Sequence, residues 1–147
     1  MKIGDHVIKT WSTTQGIIAL SSGEAEYYAI VKAGSQALGL KAMAKDFGID
    51  LKIKIITDAT AAQGISLRRG LGQVRHIETN TLWIQDRVRK GDIEVEKVGG
   101  KDNISDALTK EAGSESLVTH MRGCNMFVKD GRHELAPEVD EDNLISV

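Results

Sequence analysis

The order in which strand-like and helix-like segments follow one another is the feature that most constrains the fold of this chain. Apolar and β-branched residues dominate 6–20 and 52–57, while 92–98 alternate apolar with charged residues, and both patterns are typical of strands. Helical spacing of apolar residues follows each run, and Gly48 and Gly91 mark helix ends. An order of strand, helix, strand, two helices, strand and helix predicts an α/β layer fold with parallel pairing across the helical crossovers.

The longest predicted helix starts directly after the first strand region. Ser21 followed by Glu24 fits a capping box, in which the serine oxygen accepts an early helical N–H and the glutamate reaches back. Apolar residues at three- and four-residue spacing continue this helix to about Phe47. Residues 6–20, which precede the cap, are predicted to form one long or bent strand, or a hairpin.

The composition fits one domain of ordinary size. The chain has 147 residues, of which 41% are hydrophobic and 27% charged, so it can bury a core, and its net charge of −2 does not favour nucleic acid. Cys124 is the only cysteine, which excludes a disulfide framework. No apolar run approaches the ~18 residues of a membrane span, and the N-terminus lacks the apolar segment of a signal peptide. We therefore expect a soluble, intracellular protein.

Three acids fall where predicted strands give way to helices. Asp58 follows the strand at 52–57, Glu26 lies in the first turns of the longest helix, and Asp106 lies in the first turn after the last strand. Ligands of open α/β sheets bind beyond the carboxyl ends of the strands, so these acids can face one crevice. Carboxylates suit Mg²⁺, and two ions about 3.5–4 Å apart can clamp a phosphodiester displacement.

Each of these acids also has a structural interpretation. Glu26 taken alone is a solvated helix acid, Asp58 a helix N-cap, and Asp106 a favourable charge in a first helical turn. A second, weaker indication comes from Arg68, Arg69 and Arg75, which flank a loop near Asp58 where they can contact phosphate. A solvated basic surface is the competing interpretation of the arginines.

Five motifs in order carry a resemblance to a known family. They are Trp11-Ser12 with Ala19-Leu20-Ser21-Ser22-Gly23-Glu24-Ala25-Glu26-Tyr27, then Thr57-Asp58 with Ala61-Ala62, Arg75-His76-Ile77-Glu78, Gly91-Asp92-Ile93-Glu94-Val95, and Asp106-Ala107-Leu108-Thr109-Lys110. Over roughly residues 8–125 the chain resembles the ribonuclease H domain of copia-type (LTR) retrotransposon polyproteins. Ser105, before the last aspartate, departs from the family pattern.

The resemblance implies a ribonuclease H-like mixed sheet flanked by helices. It also implies metal-dependent hydrolysis of RNA in RNA–DNA hybrids, with a two-metal site for Mg²⁺ or Mn²⁺. By the resemblance, Glu26, Asp58 and Asp106 are metal-binding catalytic acids. His76 carries over as a motif residue of unassigned role, for which we expect a structural hydrogen bond.

The resemblance begins at the third strand of the family. The first strand of the family carries a further catalytic aspartate, and Asp5, the only acid upstream of Trp11, does not match its place. We therefore expect one bridging carboxylate too few, and weak or absent nuclease activity. Residues 1–125 form the ribonuclease H-like domain in this interpretation, and 126–147 form a C-terminal hairpin and an acidic tail.

Two functions remain open at this point: a retroelement-derived nuclease, and a non-catalytic remnant that self-associates or binds nucleic acid. An incomplete sheet exposes an edge. A longer polyprotein, a second copy forming a homodimer through that edge, or the hairpin at 126–135 can complete it. Association is the expected solution for an isolated chain. A small-molecule enzyme is disfavoured, because the sequence has no glycine-rich phosphate loop.

Overall fold

The computed structural model describes residues 1–72, 76–108 and 113–127. Its α-helices and strands, in chain order, are β1 (Lys2–Ile3), β2 (His6–Val7), α1 (Ser22–Asp46), β3 (Ile53–Thr57), α2 (Thr60–Leu67), α3 (Trp83–Arg89), β4 (Ile93–Lys97) and α4 (Ser114–Gly123). Short 3₁₀ turns lie at Thr79–Thr81, Gly100–Asp102 and Ile104–Leu108. The predicted α/β class is confirmed, and the arrangement is consistent with a truncated ribonuclease H-like fold.

Strands β3 and β4 form the parallel pair that the alternation of elements predicts. The register runs from Ile53 opposite Ile93 to Thr57 opposite Lys97. The pairing continues one residue further, because the N–H of Val98 donates to the carbonyl of Thr57 at 2.9 Å. The loop that follows β4 therefore starts beside the carboxyl end of β3.

The core lies where α1, α2 and α3 pack on this pair of strands. Gly34 shows how closely α1 approaches its neighbours, because a Cβ there would lie 2.5 Å from Cδ1 of Ile84. Ile84 itself is fully buried. The buried apolar residues of this core are Tyr27, Tyr28, Ile30, Ile55, Ala62, Ile65, Ile77, Ile84, Ile93 and Val95.

Residues 6–20 do not form the predicted long strand or hairpin, so that prediction is wrong. Within the described residues, β1 pairs only with β2 and β3 only with β4, and 8–21 are irregular. Ile17 still packs on the core while Ile18 is 88% exposed, so the alternation of a strand survives. A strand needs a neighbour to satisfy its backbone hydrogen bonds, and beyond Lys9 the segment has no neighbouring strand among the described residues.

The segment 76–90 is divided where one helix was predicted. A 3₁₀ turn at Thr79–Thr81 precedes α3, and the hydroxyl of Thr81 donates to the carbonyl of Glu78 at 2.7 Å. Such local side-chain bonds compete with helix formation. The helix predicted at 114–123 is confirmed as α4. Most of the predicted C-terminal hairpin and the acidic tail, residues 128–147, lie outside the described residues.

The part of the chain that the structure describes contains no helix long and apolar enough to cross a membrane.

Candidate functional site

The start of α1 is fixed by the capping box that the sequence predicts. Ser21, in extended conformation, accepts the N–H of Glu24 at its Oγ over 3.2 Å. The Glu24 carboxylate in turn accepts the N–H of Leu20 at 2.7 Å. The glutamate thus reaches one residue further back than a standard box, and the capping prediction for both residues is confirmed.

Glu24 is more than a cap, because it is almost completely buried. Its relative exposure is 1%, and its Oε2 lies 3.1 Å from Nε2 of His76. The imidazole remains 46% exposed, so the pair has one buried and one accessible partner. The contact joins residues 52 positions apart and ties the segment after the 70–72 loop to the start of α1. The structural hydrogen bond expected for His76 is confirmed.

Glu26, two residues further along α1, is exposed to solvent and makes a polar contact of its own. The sequence did not indicate which of the two glutamates is buried. The sequence contains both the capping-box glutamate and the histidine motif. Only the folded structure shows that the two side chains are in contact.

The first turns of α1 and α2 touch directly. A Cβ on Gly23 would lie only 2.7 Å from Cβ of Ala61, so only glycine fits there without displacement. Ala61 follows Asp58 by three residues, and Gly23 precedes Glu26 by three residues. The two acids therefore extend from adjoining helix starts.

Asp58 lies directly after β3, as predicted, and it is half-buried. The N-cap position of α2 is Ala59, so Asp58 is not the cap residue of this helix. A Cβ on Gly100 would lie 3.7 Å from Oδ2 of Asp58, which places the turn after β4 beside this carboxylate. Asp58 thus sits at the carboxyl ends of both parallel strands, where α/β folds bind ligands.

Asp106 lies in the 3₁₀ turn at Ile104–Leu108 and is half-buried. The side-chain amide of Asn103 donates to Oδ1 of Asp106 at 3.3 Å. Oδ1 of Asn103 accepts the N–H of Ser105 at 3.2 Å, so Asn103 caps this turn. The segment follows the Gly100 turn, so the third acid extends from the same end of the strands.

The arrangement supplies carboxylates, the ligand type that hard divalent cations require. Within 1–72, 76–108 and 113–127, however, no group of three or more His, Cys, Asp or Glu side chains lies close enough to hold a metal ion. Glu26, Asp58 and Asp106 therefore do not form a complete set of metal ligands in the described residues.

The basic residues near this end of the molecule differ in their availability. Arg68 is folded over the neighbouring loop, and its Nη2 donates to the carbonyl of Leu71 at 2.5 Å. A Cβ on Gly72 would lie 2.8 Å from Nη1 of Arg68, so the loop closes around the guanidinium. Arg69 is exposed, and Arg75 lies outside the described residues.

A buried glutamine anchors the same loop and was not foreseen from the sequence. Gln85 of α3 accepts the N–H of Gly70 at 2.8 Å. Its amide group donates to the carbonyls of Ile65 and Gly70 at 2.9 and 3.0 Å. Its position inside an apolar helical pattern could have indicated this role, because a buried amide requires hydrogen-bond partners.

Comparison with known proteins gives one informative similarity. Over 101 residues the chain is 30% identical to the retrovirus-related Pol polyprotein from transposon TNT 1-94 of Nicotiana tabacum. The match covers 67% of this chain and 8% of that polyprotein, so the chain spans a small fraction of its relative. No protein-family profile and no solved structure matches the chain. The similarity supports an origin in a retrotransposon Pol polyprotein.

Proposed function

We propose that the chain is a ribonuclease H-like domain from a copia-type retrotransposon Pol polyprotein, and that its chemistry is hydrolysis of RNA in RNA–DNA hybrids. The observation that carries the proposal is the position of Asp58 at the carboxyl ends of two parallel strands, beside Gly100. The similarity to a transposon Pol polyprotein supports the same conclusion.

In this proposal Glu26, Asp58 and Asp106 are the catalytic acids, and Mg²⁺ or Mn²⁺ is the cofactor that they bind. The described residues do not bring three ligands together, so the proposal includes weak metal binding and strongly reduced cleavage. Glu24 has no catalytic role in it, because its carboxylate is already used by Leu20 and His76.

Cleavage of an end-labelled RNA strand in an RNA–DNA hybrid, with Mg²⁺ or Mn²⁺, tests the activity. We expect slow cleavage that is abolished by a chelator and by Asp58→Asn. Asp50→Asn is a matched control, since Asp50 is 86% exposed in its side chain and lies outside the site. Equal cleavage by wild type and Asp58→Asn would remove Asp58 from the mechanism.

The second candidate function is a non-catalytic module that binds nucleic acid. It is favoured by the absence of a three-ligand group from the described residues. The exposed Arg69 is the available phosphate contact. We expect Arg69→Gln to weaken hybrid binding and to reduce the slope of log affinity against log salt by about 1. Arg122→Gln, at an exposed position on α4, is the control. A flat salt dependence would reject phosphate contact.

Self-association through the exposed sheet edge is the other form of this second candidate. Light scattering coupled to size-exclusion chromatography tests it at several protein concentrations. A mass that stays at the 16.0 kDa of one chain excludes the homodimer.

A further inference from the structure

The segment 10–20 lies along helix α1 without joining a sheet. Two side-chain hydrogen bonds hold it there. Nζ of Lys32 donates to Oγ1 of Thr13 at 2.7 Å, and Nε2 of Gln15 donates to the carbonyl of Ala25, also at 2.7 Å. The segment is therefore fixed to the helix by side chains and not by a backbone ladder.

The backbone of residues 10–19 has unused hydrogen-bonding capacity. Within the described part of the chain, none of these N–H groups donates to another residue. Leu20 differs, because its N–H donates to the Glu24 carboxylate at 2.7 Å. Unpaired N–H and C=O groups in an extended segment form a template on which another strand can pair.

The side chains at the end of this segment alternate as they do in a strand. Ile17 and Ala19 pack against the core, whereas Ile18 and Leu20 are 88% and 70% exposed. Successive side chains of a strand point to opposite faces, and the backbone groups then point sideways. Residues 16–20 therefore present two exposed apolar side chains beside unpaired backbone groups.

The same part of the chain carries no charge. From Thr10 to Gly23 the sequence has no Asp, Glu, Lys, Arg or His, and no proline. Natural edge strands are commonly protected from pairing by charged side chains, especially lysine, or by proline. This segment has neither protection, and pairing with its own copy brings no like charges together.

Strand β3, which also lacks a neighbour on one side among the described residues, is protected in this way. Lys52 and Lys54 are both exposed there. Pairing of β3 with its own copy would bring lysines of the two copies close together, which is unfavourable. The segment 16–20 is therefore the better surface for a second copy of the chain.

We propose that two copies of this chain dimerise by antiparallel pairing of residues 16–20, with Ile18 opposite Ile18 of the second copy. In this register the N–H groups of Ile17 and Ala19 donate to the carbonyls of Ala19 and Ile17 in the other copy. The N–H of Leu20, already bonded to Glu24, points to the opposite side of the strand. Leu20 lies opposite Gly16, where a Cβ would meet nothing within 4 Å.

This inference rests on the self-association form of the second candidate function and names its surface. It does not depend on nuclease activity. Five paired residues on each side form an interface below the standard size, so we expect a reversible dimer whose fraction rises with concentration.

Sedimentation equilibrium of the full chain, at concentrations up to about 1 mM, tests the proposal. We expect the mass of the wild-type protein to rise from 16.0 kDa toward twice that value, and Ile18→Lys to stay at 16.0 kDa. Ile56→Lys is the matched control, because Ile56 lies on β3, is 53% exposed and should leave the dimer intact.

The possible failures have different meanings. A wild-type protein that stays monomeric excludes self-association altogether, and the proposed dimer with it. Equal effects of the two lysine variants, or a dimer lost only in Ile56→Lys, would leave self-association standing but overturn its assignment to 16–20.

Disulfide trapping tests the register, in a Cys124→Ser background that removes the natural thiol. Antiparallel pairing places the Cα atoms of the two residues 18 about 4.5 Å apart, which is within disulfide range. We expect Ile18→Cys to oxidise to a covalent dimer. Leu20→Cys should not, because pairing opposite Gly16 leaves the two residues 20 about 14 Å apart. Equal trapping of the two variants would contradict the antiparallel register, and no trapping of Ile18→Cys would overturn the proposal.

Discussion

Helix α1 borders two different environments, and small residues mark both. On the side of α3, Gly34 leaves no room, since an added Cβ would meet Cδ1 of Ile84 at 2.5 Å. Elsewhere on α1, Ala33 and Ala37 line an open groove of about 790 Å³ beside β3. Small residues thus allow close packing on one side and border a channel on the other. The small size of these residues does not show which of them is closely packed. The free energy of unfolding of substituted variants does.

The largest expected effect is at Glu24, which is buried in the first turn of α1. Glu24→Ala removes a buried carboxylate that accepts the Leu20 N–H and contacts His76. We expect the free energy of unfolding to fall by about 2–3 kcal/mol, measured by urea denaturation. Glu26→Ala, two residues away and exposed, should change it by less than about 0.5 kcal/mol.

Equal losses in the two glutamate variants would mean that burial of Glu24 contributes nothing beyond helix propensity. His76→Ala gives a third measurement of the same contact. It should cost less than Glu24→Ala, because His76 is half-exposed and the carboxylate keeps its bond to Leu20.

The second prediction compares two glycines of α1. Gly34→Ala inserts a methyl group against Ile84, and overpacking should lower the free energy of unfolding by about 1–2 kcal/mol. Gly39→Ala is the matched control, since a Cβ there meets nothing within 4 Å. It should raise stability by about 0.5–1 kcal/mol, because alanine is the better helix former. A gain in both variants would show that Ile84 moves aside without cost.

The elements that the sequence predicted correctly are those with a local signal. The periodicity of α1 and the alternation of β4 lie within their own residues. The strand expected at 6–20 did not form, because a strand also depends on a neighbour that no local pattern shows. The division at Thr79–Thr81 was missed for a related reason, since the Thr81 hydroxyl bond to Glu78 competes with the helical pattern.

The candidate site was predictable to the same extent. The positions of Asp58 and Asp106 beyond the strands follow from the order of elements. The burial of Glu24 does not, because it requires His76, 52 residues away, to complete its environment. Whether Glu26, Asp58 and Asp106 act on a metal remains a prediction that the cleavage assay tests.

The third prediction concerns Tyr27, which is fully buried and donates its hydroxyl to the carbonyl of Thr81 at 3.0 Å. Tyr27→Phe should cost about 1 kcal/mol at neutral pH. Burial raises the pKa of Tyr27 above its usual range. Its contribution is therefore fully present below the unfolded pKa of about 10 and is lost as the pH rises through the folded pKa.

We therefore expect the wild-type protein to lose stability above pH ~10 more steeply than Tyr27→Phe. Thermal unfolding of both proteins at a series of pH values in that range measures the difference. Tyr28→Phe, whose ring centre is 6.1 Å from that of Tyr27, is the control and should retain the alkaline loss. Identical alkaline slopes for wild type and Tyr27→Phe would assign the loss to other groups.

The smallest expected effect is at the surface of α3. Lys90 lies 2.7 Å from the Asp86 carboxylate and, with Arg89 and Arg87, lowers the pKa of Asp86 below its usual range. A lowered pKa contributes stability above the unfolded value of about 4, and this is lost as the pH falls through the folded pKa. Asp86→Asn should therefore lower the melting temperature slightly at neutral pH, and the difference should shrink in acid.

Added salt should also shrink this difference, because an exposed pair is screened by ions. The Glu24 and Gly34 variants give the contrast, since their effects arise from burial and packing and should persist in high salt. A salt-sensitive Glu24→Ala would mean that the pairing with the half-exposed His76, and not the hydrogen bond to Leu20, dominates the contribution of Glu24. In that case the cost of Glu24→Ala would arise from electrostatics, whereas the cost of Gly34→Ala arises from packing.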